Sequence, residues 1–408
     1  MVRRAIIFDF ASFLAPLKSA LVTPLAVTAL LFFAALLLAE TAVRLLRAPR
    51  VAALVLAGAL LGLLRRSNQA AANMPLPSVL LEALSMVLLF EVGQRVPLGW
   101  LRRNPWLLAA SIGECAVVFA VIYAVLAIGF AVPPIDSAFA AVICMTASPI
   151  VVMSISKDLR ARGQVSERAL LFATLSSVYA VLLVQFFVAG YRAAARVDLA
   201  SVLQPILQLA GSFLLGALAA GALRLYAMIT LARHALLTIG IICCCVLLYA
   251  YALPLGLSPI LAALFFGLIV RGTDRTHAVL SHQTSETGAL LTLAYFVLVG
   301  ATLTWIESWT LLGVAAAAAA ARLLAKVAAN AAFALPSALS PAKGAWVGVA
   351  SAPLSSLALT LIASVAQQPQ LVRAAEISAA VVLFMAILGP ILTELALRRS
   401  GEPTSDQR

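Results

Sequence analysis

Thr146-Ala147-Ser148-Pro149-Ile150-Val151-Val152 and Ala350-Ser351-Ala352-Pro353-Leu354-Ser355-Ser356 decide how this chain folds. Each sets small hydroxyl residues beside a proline in the middle of an apolar run long enough to cross a bilayer. Proline removes a backbone donor and frees a carbonyl, and in a membrane such freed groups persist only where protein or a watery cavity covers them. Serine and threonine hydroxyls next to that carbonyl are able to coordinate a dehydrated cation. One break of this kind is an ordinary kink. Two, at similar depth in the two halves of a chain, point to inverted repeats with a binding site at the bilayer midplane between discontinuous helices.

The surrounding sequence fits that frame. Apolar runs between basic or Pro/Gly breaks predict thirteen spans, near 22–46, 51–64, 76–94, 105–131, 136–157, 166–190, 199–226, 234–252, 257–271, 285–304, 309–335, 344–366 and 372–397. Of the 408 residues 63% are hydrophobic and 11% charged, with a mean hydropathy of +1.07. Soluble domains carry about 25% charged residues. A water-soluble enzyme, a disordered chain and a nucleic-acid-binding domain are excluded, despite a net charge of +12. The five cysteines, Cys115, Cys144 and Cys243 to Cys245, lie in apolar runs without metal-ligand spacing and read as small buried side chains. Arg3 and Arg4 before an apolar patch imitate a signal peptide, but Asp9 interrupts the patch, which reads as an amphipathic lead-in.

Charge orients the spans. Alternating the connections gathers eighteen basic residues on one face and eight on the other. The positive-inside rule puts the first face in the cytoplasm, the N-terminus outside and the C-terminus inside. Arg322 and Lys326 fall inside the eleventh span and outside that tally. Arg322 reads as part of a helix face packed on polar neighbours. Lys326, 17 residues from the outer end and 9 from the inner, is close to mid-membrane. An ionisable group at that depth is a functional candidate, the bland alternative being a side chain snorkelling to the interface.

Further motifs, in order, are Leu45-Leu46-Arg47-Ala48-Pro49 leading to Gly58 and Gly62; Phe90, Gly93 and Arg102-Arg103; and Gly256-Leu257-Ser258-Pro259-Ile260-Leu261-Ala262-Ala263 with Gly267. Phe296-Val297-Leu298-Val299-Gly300 and Leu388-Gly389-Pro390-Ile391-Leu392 complete the series. Over residues 25–397 the chain resembles the sodium/hydrogen-exchanger-type members of the monovalent cation:proton antiporter superfamily. The resemblance implies an all-α polytopic membrane fold of about thirteen transmembrane helices, with inverted repeats and two crossed broken helices. It implies a homodimer whose protomer has a scaffold and a transport core that moves elevator-fashion. On that basis 1–104 and 231–305 are scaffold, 105–197 and 306–398 core, 198–230 a linker helix and 399–408 a cytoplasmic tail. Lys326 falls where many members carry a lysine paired with carboxylates of the sixth span.

The chain departs from the family at the sixth span. Where the family keeps an Asp-Asp or Asn-Asp pair, Ala173-Thr174-Leu175-Ser176-Ser177-Val178-Tyr179-Ala180 offers two serines. Serine carries neither proton nor charge at physiological pH. Among the span glutamates, Glu40, Glu91 and Glu394 stand four residues before Arg44, Arg95 and Arg398 and read as i,i+4 pairs. Glu82 sits in the early turns of a helix, where the dipole favours it. Glu114 lies nine residues past Pro105, about 13 Å into the membrane. Glu114, Thr146, Ser176, Ser177 and Lys326 should therefore share one layer, with Glu114 as the replacement carboxylate, either pairing with Lys326 or exchanging a proton against the cation. The bland alternative has it bonding a nearby hydroxyl.

The expected function is secondary exchange of a monovalent cation, Na+ or K+, for protons across the inner membrane. Thr146, Ser148, Ser176 and Ser177 would form the ion site with backbone freed by Pro149 and Pro353, and Glu114 and Lys326 would handle charge. The alternatives are a divergent member moving another solute or lacking proton coupling, and a non-transporting sensor or partner-binding protein. His277 and His282, on a loop with Asp274 and Glu286, titrate in the range of a pH sensor but more commonly are solvated; His234 reads as interfacial and Gln185 as a cavity or helix-contact residue. No Walker loop, metal-ligand cluster or nucleophile–base pair appears, so an enzyme, a cofactor and a nucleic-acid partner are not expected.

Overall fold

Prolines open many of the helices, because a first-turn residue needs no amide donor and proline's φ is preset for it. The computed structural model describes residues 24–46, 50–67, 78–95, 103–193, 199–230, 234–273, 286–302, 308–354, 358–359, 361–362, 365 and 371–402. The helices are α1 (Pro24–Leu46), α2 (Arg50–Ser67), α3 (Ser78–Arg95), α4 (Pro105–Ala124), α5a (Pro134–Met145) and α5b (Pro149–Asp158). There follow α6 (Gln164–Ala193), α7 (Leu199–Ile229), α8 (His234–Ala252), α9 (Pro259–Thr273) and α10 (Glu286–Thr302). The last are α11 (Trp309–Ala332), α12 (Pro341–Ala350), helical again at 358, 359, 361, 362 and 365, and α13 (Val372–Arg399). With the two broken helices each counted once, these are the thirteen spans; no strand occurs among the described residues.

The predicted boundaries move in places. The fourth span is α-helical only to Ala124 and finishes as a π-turn, Val125–Gly129. The twelfth starts at Pro341, with Ser340 accepting the Lys343 N–H at 3.4 Å as its cap. His277, His282 and Asp274, Ser355 and Ser356, and the side chains of Gln185, His234 and Glu286 lie outside the described residues.

The helices pack in two groups. In one, α1 lies on α2, α2 on α10, α3 on α9 and α8. Glycines let these backbones touch: a side chain at Gly58 would strike Val297 in α10, and one at Gly300 would strike Val55 in α2. Gly93 of α3 and Gly267 of α9 stand in the same reciprocal relation. Without a hydrophobic drive between helices in lipid, close approach of small residues supplies the packing. This is the physical content of the glycine motifs in the sequence.

In the other group α11 packs on α4, α12 and α13, α5a on α4 and α13, and α6 on both halves of the fifth span and on α12. α7 touches α6 on one side and α8 and α9 on the other. The groups meet where α5b approaches α2 and α3, and where α13 approaches α2.

Two carboxylates tie helix starts within the second group. Asp136 accepts the Ala374 N–H at 3.1 Å, at the beginning of α13. Glu402, turned back by Gly401 at φ +75°, accepts the Val165 and Ser166 N–H groups at 2.6 and 2.9 Å. It sits at the positive end of α6, where a negative charge is stabilising. Arg168, counted from sequence with the surface bases, is instead buried and donates to the hydroxyl and carbonyl of Ser337 at 2.6 and 2.5 Å.

Candidate functional site

The site begins with two interrupted helices. α5a runs out at Met145; Thr146 is extended (ψ 159°) and Ser148 caps α5b, accepting the Val151 N–H at 3.3 Å. α12 runs out at Ala350 and leaves Ser351 to Leu354 non-helical. The breaks cross in contact: the Ser148 N–H donates to the Pro353 carbonyl at 2.8 Å. Gly389 of α13 makes room, since a Cβ there would stand 2.6 Å from the Pro353 Cα.

Half-helix ends carry unpaired carbonyls and a partial negative charge. Arg322 answers both at once. Its guanidinium, fully buried, donates to Cys144 O at 2.6 Å and Thr146 O at 2.5 Å on one break, and to Ala352 O at 2.5 Å and Ser351 O at 3.5 Å on the other. Thr393 of α13 adds a donor to Ala350 O at 2.9 Å. The planar fork of arginine suits this divergent set of acceptors, and its charge is set against two helix C-termini. The sequence marked Arg322 only as a residue on a polar-packed face; it is the pin of the crossing.

The hydroxyls expected at the site are all buried. Thr146 donates to Ile143 O at 2.8 Å. Ser176 accepts the Ala147 N–H at 3.1 Å and donates to Ala173 O at 3.0 Å. Ser177 donates to Ala173 O at 2.9 Å and lies 3.4 Å from Ala147 O. The two serines thus bracket the Ala147 peptide, satisfying backbone polar groups that the helix break exposes inside the membrane. Ser177, Thr174 and Pro149 also line a narrow cleft against Leu89, Ile260 and Leu264, where the two helix groups meet.

Glu114 and Lys326 form an ion pair, each 1% exposed. Helix spacing explains how they meet. Leu107, Ser111, Glu114, Val118 and Ile122 make the buried stripe of α4, and Arg322, Lys326 and Asn330 follow at i, i+4 and i+8 on α11. The two stripes face each other. Cys115 donates to the second Glu114 oxygen at 3.6 Å, and Asn330 Nδ2 donates to Lys326 O at 2.9 Å. Isolated charges at this burial would cost many kcal/mol, which pairing offsets.

Glu91 also reaches Lys157 of α5b, joining the two helix groups, because the fifth span crosses in front of α3; the side chain of Arg95 lies outside the described residues. Glu40–Arg44 and Glu394–Arg398 form as i,i+4 pairs at 2.9 and 2.8 Å.

Beside the pair, an apolar cavity of about 560 Å³ lies between α4 and α6, lined by Cys115, Ala116, Phe119, Tyr179 and Phe187 among others. Its hydrocarbon walls hold no charge and suit lipid more than an ion.

The fold is shared with known proteins. The fold is similar to a structure of the sodium proton antiporter MjNhaP1 from Methanocaldococcus jannaschii at pH 8, with TM-score 0.62 and 16% identity over 92% of this chain and 95% of that one. An electron-microscopy structure of the same antiporter aligns with TM-score 0.69 and 16% identity, over 94% and 99% of the two chains. Comparison with curated proteins finds no matching sequence. The family model described as "Sodium/hydrogen exchanger, transmembrane" matches residues 9–399. Thirteen spans, crossed breaks and that match agree: this integral membrane protein belongs to the sodium/hydrogen exchanger family.

Proposed function

We propose that the chain exchanges a monovalent cation, Na+ or K+, for protons across the inner membrane by elevator-type alternating access. The observation that carries this is the buried Glu114–Lys326 pair beside the crossed helix breaks. An ionisable pair in hydrocarbon is costly and marks an ion pathway by default. A cation that takes the Glu114 carboxylate displaces the Lys326 ammonium, which then sheds its proton; reprotonation on the opposite side restores the pair and expels the cation. One charge enters the core as one leaves. Family membership and the likeness to a sodium proton antiporter support this reading.

The hydroxyls of Thr146, Ser148, Ser176 and Ser177 keep acceptor lone pairs after their protons are used. They solvate the ion as it passes the break, in the shape that Pro149, Pro353 and Arg322 hold. The group of α4–α6 and α11–α13 acts as the moving core, and α1–α3 with α8–α10 as the scaffold through which a homodimer forms. In this reading the C-terminus is cytoplasmic and the N-terminus outside, as the uneven spread of basic residues along the sequence supports.

Proteoliposomes loaded with a pH dye test the reading. NaCl or KCl added outside should drive proton efflux in the native protein, and Glu114→Gln should abolish it. Native protein without cation-driven pH change, or a Glu114→Gln variant with unchanged flux, sinks the proposal.

A further inference from the structure

A carboxylate alone does not hold a dehydrated cation; several neutral oxygens must replace its water. Hydroxyl and amide oxygens are the hard ligands such ions take. Around the Glu114–Lys326 pair, Asn330 Oδ1 is buried without a hydrogen-bond partner among the described residues, and the buried Ser111 Oγ and Tyr179 Oη have no partner there but each other. Buried polar atoms are nearly always satisfied, and a cluster of exceptions calls for a functional explanation.

These three come from α4, α6 and α11, with α4 packed on both of the others. Ser111 is fully buried and lies one turn before Glu114 on the buried stripe of α4. Asn330, 4% exposed, lies one turn after Lys326 on the facing stripe of α11. Its amide nitrogen is fixed on Lys326 O, which leaves the oxygen as the free end. Tyr179 comes from α6 and turns its hydroxyl toward Ser111. Ser111 and Asn330 both lie toward the Pro105 end of α4, on the same side of the ion pair.

The crossing itself is a poorer seat. Its carbonyls Cys144 O, Thr146 O, Ser351 O and Ala352 O already hold a guanidinium. The hydrogen bonds of that guanidinium go to carbonyls and not to a carboxylate, so an added cation there is repelled by its fixed positive charge.

We infer that the transported cation is seated between α4, α6 and α11, held by the Glu114 carboxylate with Ser111 Oγ, Asn330 Oδ1 and Tyr179 Oη. This rests on the exchange reading above and moves the seat away from the sixth-span position where the serines stand. A ligand set split between α4 and α11 also spans the two inverted repeats, so an ion bound there is gripped by both.

The test uses the purified full chain in two assays. In proteoliposomes, NaCl, KCl and LiCl are titrated at constant ionic strength with choline chloride. Ser111→Ala and Asn330→Ala should each raise the cation KM at least tenfold while the maximum rate stays within about twofold, and Tyr179→Phe should raise it less. Ser111→Thr and Asn330→Asp, which keep an oxygen, should restore KM to near the native value. In detergent, the native protein should melt higher in NaCl, KCl or LiCl than in choline chloride, and Ser111→Ala and Asn330→Ala should lose that rise. The melting assay serves for any variant too unstable to reconstitute. Unchanged KM and an unchanged melting rise in both alanine variants overturn the site, as does a KM shift carried by Ser177→Ala alone. If native protein shows the melting rise without proton flux, the seat stands and the exchange reading fails.

Discussion

The guanidinium of Arg322 donates to the carbonyl of Thr146 at 2.5 Å, and through its other nitrogen to Ala352 at the same distance. One side chain therefore satisfies the ends of two half-helices from opposite repeats. Arg322→Leu should destabilise the protein by about 3–5 kcal/mol, the usual cost of emptying one side of a buried charged contact. Arg322→Lys keeps the charge but loses the fork and should fall between the two. Melting of purified protein in detergent decides it; a leucine variant as stable as native would show that the crossing does not depend on Arg322.

Removing both members of the Glu114–Lys326 pair should hurt stability less than removing one. Glu114→Gln or Lys326→Met alone strands a buried charge, at about 3–5 kcal/mol, whereas the double variant leaves none. All three should lack cation-driven proton flux. A double variant less stable than either single one contradicts the pairing.

Ser176→Ala takes away the acceptor of the Ala147 N–H. An unsatisfied buried donor costs about 1–3 kcal/mol, so the melting temperature should drop while the helices remain by circular dichroism. Ser176→Asp supplies a charged acceptor beside the first break. Combined with Glu114→Gln it should return part of the lost flux; no recovery would show that position 176 is purely a structural cap here.

Glu91 and Lys157 bridge the two helix groups, so they should act on rate more than on stability. As a partly exposed pair they contribute about 0.2–1 kcal/mol. Glu91→Lys should alter the exchange rate and Glu91→Lys with Lys157→Glu should bring it back. Glu91→Cys with Lys157→Cys, oxidised to a disulfide, should stop flux until reduced. Full flux in the oxidised protein would mean that the groups do not separate at this point.

Much of the fold could be read from residues whose effect is local. Proline at 149 and 353, hydrophobic run lengths and the spacing of basic residues each act within a few positions of the chain, and the thirteen helices follow from them. Glu114 and Lys326 were findable because depth along a helix is a count of residues. Arg322, Thr393 and Asp136 were not, since they bond backbone groups distant in sequence, and a carbonyl or N–H has the same appearance at every position. Lys157 as a partner of Glu91 was hidden for a related reason: an arginine four residues on is visible in the chain, whereas a lysine brought up by another helix is not. Ser111 and Asn330 carried a faint sign, being polar residues one turn from each member of the charged pair.

Glu402 closes the N-terminal end of α6 from the far end of the sequence. Protein engineering at the C-terminus is therefore not neutral. An affinity tag joined directly after Arg399, or a protease site that trims to it, deletes the carboxylate and leaves two amides at the entrance of a helix that also braces the first break. A tag joined after Arg408 preserves it, and that is the form in which flux and melting should be compared.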